Sequence, residues 1–215
     1  AKYALSLKIV GIVTFLTSGF SIFWSPYCLK LYFSQKNVEK KCRYFFLYYL
    51  FFLVTILLII LWNIPWIFNR FLIEYQSSEI LIPILMTSLI IYSIGDYFCV
   101  GISFKEQTQI RGYVGTVAIF LNLILNYFFI NAFGLIGAAL ATLISNFLYV
   151  SILNFYSYKL YPIKYKYNIL IIFGFLISCY SLVYSFAPNY IYYYLTIITS
   201  FLFIKIWENR YIFNK

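Results

Sequence analysis

The sequence predicts an all-α protein built as a bundle of membrane-spanning helices. Of its 215 residues, 64% are hydrophobic and only 10% are charged, whereas an ordinary soluble domain is about 45–50% apolar and about 25% charged. The apolar residues also form separate stretches of about 20 residues, the length that an α-helix needs to cross the hydrocarbon core. A soluble fold of this size cannot hide so much apolar surface from water. A polytopic transmembrane bundle is therefore the expected architecture.

Seven stretches are long and apolar enough to span a membrane. They are Tyr3–Tyr27, Tyr44–Ile64, Ile80–Ile102, Tyr113–Ile130, Leu135–Tyr156, Asn168–Phe186 and Tyr190–Trp207. Pro26 and Pro65 are predicted to end the first and second spans. The fourth and fifth spans are nearly fused, which predicts a tight hairpin with Gly134 in the left-handed conformation that glycine adopts at helix ends. The sixth and seventh spans meet in a short turn at Pro188.

Basic residues set an orientation for these spans. The second, fourth and sixth loops together contain one basic residue, Arg70, whereas the odd-numbered loops and the C-terminal tail contain 13. These are Lys30, Lys36, Lys40, Lys41, Arg43, Lys105, Arg111, Lys159, Lys164, Lys166, Lys205, Arg210 and Lys215. The positive-inside rule predicts that the odd loops and the C-terminus are cytoplasmic. It also places Ala1 on the outer side, so we expect further spans upstream in a longer protein.

Several function classes are disfavoured by composition. The net charge of +10 suggests nucleic acid, but such binding needs a basic face open to water, and these charges form short clusters between apolar stretches. The chain has no histidine, which excludes a Ser-His-Asp or Cys-His triad within it. Its four cysteines form no CxxC pair, so no zinc or redox motif is indicated. We therefore expect no catalytic residues, no metal, no cofactor and no enzymatic activity.

Asp96 is the most informative residue within a predicted span. A charged Asp at a helix centre costs about 2.5–3.5 kcal/mol on insertion scales, so its side chain should face the bundle interior or a watery cavity. One interpretation is a proton or cation site used for ion coupling. The alternative is a structural carboxylate that reaches water or Lys105 near the cytoplasmic end of the span.

Three other polar residues within spans have two interpretations each. Lys8, near the outer end of the first span, either extends its long side chain to the interface or lines a cavity for an anionic substrate. Asn122 and Asn126 are four residues apart and share one helix face, so they either form hydrogen bonds that pack helices or bind substrate. The small residues from Gly134 to Ser145 favour close helix packing, with substrate contact as the alternative.

The same residues carry a resemblance to a known family. Asn122-x-x-x-Asn126, followed by GLIGAALATLIS from Gly134 to Ser145, resembles a signature of polysaccharide-biosynthesis flippases, which include the O-antigen repeat-unit flippases. These belong to the multidrug/oligosaccharidyl-lipid/polysaccharide exporter superfamily. Two further features agree: Tyr3-Ala4-x-x-x-Lys8 followed by Trp24-Ser25-Pro26, and the basic run Lys105-Glu106-Gln107-Thr108 before the asparagine-bearing helix. The resemblance covers roughly residues 1–160.

The resemblance implies a fold and an activity. Such flippases have two six-helix bundles around a central cavity, so residues 1–160 would be the second bundle without its first helix. Residues 161–215 would add a helix pair and a cytoplasmic tail. The implied activity moves an undecaprenyl-pyrophosphate-linked oligosaccharide across the bacterial cytoplasmic membrane for surface polysaccharide synthesis. The implied partners are this lipid-linked oligosaccharide, membrane lipids and the upstream half of the same protein.

The resemblance also implies roles for the intramembrane polar residues. Lys8 would meet the pyrophosphate, Asn122 and Asn126 would contact substrate, and Asp96 would couple transport to an ion. Two other functions remain as alternatives. An integral-membrane polymerase or ligase typically needs a large outer loop, whereas the largest predicted outer segment here is only about Asn63–Glu79. An ion-coupled drug exporter of the same superfamily would keep the fold and change the cargo.

Overall fold

The computed structural model describes residues 2–34 and 38–163, and almost all of them are helical. The helices are α1 (Lys2–Ser34), α2 (Val38–Phe71), α3 (Leu81–Phe98), α4 (Val100–Phe104) and α5 (Gln109–Leu160), with a short 3₁₀ helix at Ile73–Ser78. In this part of the chain, four helical stretches are long and apolar enough to cross a membrane: Tyr3–Ser34, Val38–Phe71, Leu81–Phe104 and Gln109–Leu160. The prediction of an all-α chain with helices long and apolar enough to cross a membrane is confirmed.

The count of seven spans is not supported. The structure has four such helices within the described residues, because the fourth and fifth predicted spans, Tyr113–Ile130 and Leu135–Tyr156, both lie in α5. The sixth and seventh, Asn168–Phe186 and Tyr190–Trp207, lie outside the described residues, as does nearly all of the predicted 161–215 segment.

The predictions for the two prolines were wrong. Pro26 and Pro65 lie inside α1 and α2, which continue to Ser34 and Phe71. A proline removes one backbone donor, but an apolar helix tolerates the loss when the remaining backbone groups stay hydrogen-bonded within the helix. Both helices are therefore longer than the spans predicted for them.

α5 is a helical hairpin of two arms, residues 109–133 and 135–160, which meet at Gly134. Gly134 has φ 59° and ψ −132°, the one non-helical backbone conformation inside the helix. The amide Nδ2 of Asn122 donates to Oγ of Ser145 at 3.3 Å, although a straight helix would separate these residues by about 34 Å. The predicted turn at a positive-φ Gly134 is confirmed, but its ψ is far from the left-handed helical value of about +47°.

Two glycines allow backbones to approach each other closely. A Cβ on Gly137 would collide with the carbonyl group of Phe129 on the opposite arm of the hairpin. A Cβ on Gly101 would meet the backbone oxygen of Ser157, and the Gly101 N–H donates to Ser157 Oγ at 2.8 Å. The first contact closes the hairpin near its tip, and the second fixes α4 against the second arm.

The interior of α1, α2 and α3 is an aromatic cluster. The Trp24 and Tyr97 rings stack with centroids 4.2 Å apart, and Phe20 stacks on Tyr49 at 4.1 Å. Tyr97 is fully buried and its hydroxyl donates to the carbonyl oxygen of Phe45 at 3.1 Å. Helix α3 is the central element of the described residues, since it contacts α1, α2, α4 and α5.

We predict that Gly137→Ala destabilises the chain, because the new methyl group must displace the Phe129 carbonyl. Overpacking of this kind costs about 1–3 kcal/mol. Gly112→Ala in the first arm of the same helix is the matched control, since no atom lies within 4 Å of its new Cβ. The measurement is thermal unfolding of the detergent-solubilised chain by circular dichroism. Equal midpoints of thermal unfolding for Gly137→Ala and Gly112→Ala would contradict the close approach between Gly137 and the Phe129 carbonyl.

Candidate functional site

Asp96 lies near the C-terminal end of α3 and joins three helices. Its Oδ1 accepts a hydrogen bond from Nη2 of Arg111 on α5 at 2.7 Å. Its Oδ2 accepts one from Oγ of Ser21 on α1 at 2.8 Å. Both carboxylate oxygens are therefore used, one by a cation and one by a hydroxyl.

The ion pair explains how a carboxylate is accommodated in this bundle. The side chains of Asp96 and Arg111 are 30% and 40% exposed, so each is half-buried between helices. Opposite charges in contact reduce the cost of placing either one in an apolar medium. The alternative interpretation of Asp96 named Lys105 as its cation, whereas the structure pairs it with Arg111.

The predicted span boundaries place Arg111 in a loop, so the sequence does not single it out as a partner of Asp96. Helix α5 begins at Gln109, so Arg111 lies in its first turn rather than before it. A signal was present in the sequence. Asp96 lies near the end of one span and Arg111 near the start of the next, and antiparallel neighbours joined by a short connection bring such ends together.

A stripe of small and polar residues on α1 leads to Asp96. It contains Gly11, Thr14, Ser18, Ser21 and Ser25, spaced three or four residues apart and thus on one side of the helix. All are exposed except the half-buried Ser21, and no atom lies within 4 Å of where a Cβ on Gly11 would be. Small and hydroxyl-bearing residues on one face of a membrane helix, as in this polar stripe, favour contact with another helix rather than with lipid, and the described residues leave most of this face uncovered.

Lys8 is exposed at the other end of the polar stripe. It precedes Ser21 by 13 residues, which is about 20 Å along the axis of a helix. Lys8 and Asp96 are therefore not parts of one cluster. Lys8 lies in the first two turns of α1, whereas Asp96 contacts that helix near its middle, at Ser21.

Asn122 and Asn126, the two asparagines predicted as candidate site residues, form a hydrogen-bonded chain that reaches the other arm of the hairpin through Asn122. Asn126 Nδ2 donates to the backbone oxygen and to Oδ1 of Asn122, both at 2.9 Å. Asn122 in turn donates to Ser145 on the other arm. Of these bonds, only the one from Asn122 to Ser145 packs one arm against the other. Asn122 also lies 11 residues beyond Arg111, about 16 Å along the arm, so the asparagines are separate from the Asp96 site.

Asn146 makes a second polar contact between α5 and α3, which the sequence did not indicate. Its Nδ2 donates to Ser88 Oγ at 2.9 Å and lies 3.4 Å from the Ser88 carbonyl oxygen. This bond joins the second arm of α5 to the middle of α3.

Among the described residues, no three His, Cys, Asp or Glu side chains come together as a metal site would require.

The fold and the site define an all-α membrane protein whose central helix is joined to its neighbours by an ion pair and by amide–hydroxyl hydrogen bonds. Comparison with protein-family models, with curated proteins and with solved structures finds no match. The similarity to polysaccharide flippases therefore rests on the sequence motifs described above.

We predict that Asp96 and Arg111 stabilise the fold as a coupled pair. A double-mutant cycle with Asp96→Asn and Arg111→Gln should give a coupling energy of about 1–2 kcal/mol, less than a fully buried charged hydrogen bond because both side chains reach solvent. The control cycle uses Glu39 and Arg43, which also bond at 2.7 Å but within a single helix, where such pairs contribute about 0.3–0.5 kcal/mol. The measurement is unfolding of the detergent-solubilised chain, and a coupling energy no larger than the control's would overturn the prediction.

Proposed function

We propose that the chain is the second half of a transporter that flips undecaprenyl-pyrophosphate-linked oligosaccharides across the bacterial cytoplasmic membrane. The observation that carries this proposal is the Asp96–Arg111 ion pair next to the polar stripe of α1. Charged groups within a membrane bundle are costly, and where they occur they generally line a substrate or ion path. The flippase-like motifs supply the class of cargo, and the proposed topology is multi-pass with a cytoplasmic C-terminus.

The proposed mechanism is a transfer of the anionic head group between two cations. In the orientation predicted from the basic loops, Arg111 lies near the cytoplasmic face and Lys8 near the outer face. The pyrophosphate would meet Arg111 first and Lys8 last, and the hydroxyls of the polar stripe would offer hydrogen bonds between them. Competition by a coupling ion for the Asp96 carboxylate would release Arg111 to the cargo, which would couple transport to that ion. No covalent bond changes in this cycle.

The alternative functions receive less support from the described residues. A polymerase or ligase needs a large outer loop for its catalytic residues. The connection between α2 and α3 consists only of residues 72–80, most of which form the short 3₁₀ helix. An ion-coupled drug exporter would share the Asp96 site, so only the cargo distinguishes it from a flippase.

Complementation tests the proposal directly. The full-length protein is expressed in a bacterium that lacks its own repeat-unit flippase, and surface polysaccharide is measured. Restored polymer supports flipping of a lipid-linked glycan. Absence of polymer, with verified membrane expression in strains that make several different repeat units, would reject the proposed cargo. Resistance to toxic organic cations in the same cells would then favour the drug exporter.

We predict that Lys8→Ala and Asp96→Asn each lower polymer export by about tenfold, because each removes one interaction with a charged group, worth about 1.5–3 kcal/mol. Lys41→Ala is the control, since Lys41 is an exposed lysine of α2 away from the polar stripe. Protein levels are matched by immunoblot. Unchanged export in both Lys8→Ala and Asp96→Asn would remove these residues from the mechanism.

The proposed orientation makes a separate prediction. Gln76 and Gln107 are exposed residues in connections at opposite ends of α3. In a chain with its native cysteines replaced, Gln76→Cys should react with a membrane-impermeant maleimide in intact cells, and Gln107→Cys should react only after permeabilisation. The two variants introduce the same residue, so the reverse labelling pattern would show that the chain has the opposite orientation in the membrane. The cargo would then meet Lys8 before Arg111.

A further inference from the structure

A polar cavity lies away from the Asp96 site, where α1 ends and α2 begins. Its volume is about 670 Å³, and its lining residues are Tyr32, Phe33, Val38, Glu39, Lys40, Arg43 and Tyr161. Tyr32 follows Ser21 by 11 residues, or about 16 Å along α1. The cavity is therefore separate from the polar stripe and from the proposed transport path.

Two basic side chains supply most of the hydrogen-bond donors in this cavity. Arg43 uses Nη2 to bond Glu39 Oε1 at 2.7 Å, but its buried Nε has no hydrogen-bond partner among the described residues. A guanidinium group has five N–H donors, and the side chain of Arg43 is 40% exposed, so donors of its terminal nitrogens that Glu39 does not use face the cavity. Lys40 is exposed, and its Nζ lies 5.9 Å from the centre of the Tyr44 ring.

The start of α2 adds a positive potential. Val38, Glu39 and Lys40 form the first turn of this 34-residue helix, where backbone N–H groups lack partners within the helix and the helix dipole favours an anion. Glu39 opposes an anion, but its charge is matched by Arg43, which leaves the lining with one excess positive charge. An acidic ligand is therefore favoured over a basic one.

Aromatic packing holds the walls of the cavity in place. Tyr32 stacks on Phe104 with ring centroids 4.3 Å apart, and Tyr161 meets both rings edge-on at 5.8 and 5.1 Å. Burial, with smaller contributions from Cys42, Tyr32 and Glu39, raises the pKa of Tyr161. Its hydroxyl group therefore keeps its proton at neutral pH and remains a hydrogen-bond donor.

We propose that this cavity binds a phosphate group, held by Lys40, Arg43 and the hydroxyl of Tyr161. The exposed Phe33 side chain at the rim and the position at the ends of two long apolar helices suit the phosphodiester of an anionic phospholipid, with its acyl chains along α1. Basic pockets between helix ends bind such head groups by the same chemistry. Free inorganic phosphate is the other source of the same group.

The test measures the binding of phosphatidylglycerol and of inorganic phosphate to the full 215-residue chain in a nonionic detergent. One arm adds phosphatidylglycerol and counts retained lipid by native mass spectrometry, with phosphatidylcholine as the reference lipid. The other arm titrates sodium phosphate by calorimetry, with sodium chloride as the reference salt. Lys40→Ala should weaken binding about fivefold, the effect of removing one basic residue near an anionic head group. Tyr161→Phe, which removes only a hydroxyl group, should weaken it less.

Lys41→Ala is the matched control, because Lys41 is an exposed neighbour that does not line the cavity. Phosphatidylglycerol binding that depends on Lys40 and Tyr161 but not on Lys41 would support a lipid site. The same dependence with phosphate alone would support a site for the free anion. Equal losses in Lys40→Ala and Lys41→Ala, or no binding in either arm, would overturn the proposal. Lys40 is exposed, so its substitution tests the site without disturbing the core.

Discussion

The carboxylate of Asp96 is the constraint on which the arrangement of α1, α3 and α5 depends. Helices surrounded by lipid gain little from burying apolar surface against one another, so close packing and polar contacts decide which faces meet. Asp96 binds Arg111 with one oxygen and Ser21 with the other. Each bond specifies a neighbouring helix and its rotation. The Asn146–Ser88 bond adds a second contact between α3 and α5, and together these bonds fix the register of the three helices.

Local sequence patterns predicted the helices and the hairpin. Apolar length alone identifies a membrane helix, and the positive φ at Gly134 was expected because the four residues between the two apolar runs end in glycine. Helix ends were harder to predict. The sequence predicts that helices end at Pro26 and Pro65, but whether a helix continues past a proline depends on whether its other backbone groups are satisfied. That condition is set by the residues of the next turns and by neighbouring helices, not by the proline.

The candidate site was only half predictable for a related reason. The energetic cost of a charge identifies Asp96 from the sequence, but its partner depends on how two helix ends meet in space, so Lys105 was named and Arg111 was missed. For Asn122 and Asn126, the shared position was predictable and the bonding partner on the other arm was not. Their shared face was evident from their spacing, and the structure adds Ser145 as the partner of Asn122 on the other arm. Their contact with substrate stays a prediction, whereas the bond from Asn122 to Ser145 shows that Asn122 helps to close the hairpin.

The closed hairpin of α5 has a consequence for how the chain enters a membrane. No charged residue lies between Arg111 and Lys159, so the tip at Gly134 can cross the bilayer without carrying a charge through it. The glycine contact at Gly137 and the Asn122–Ser145 bond can form while both arms are still leaving the translocation machinery. The two arms would then insert together as one unit. Arg111 and Lys159, at the ends of the arms away from Gly134, would keep both ends on the same side of the membrane.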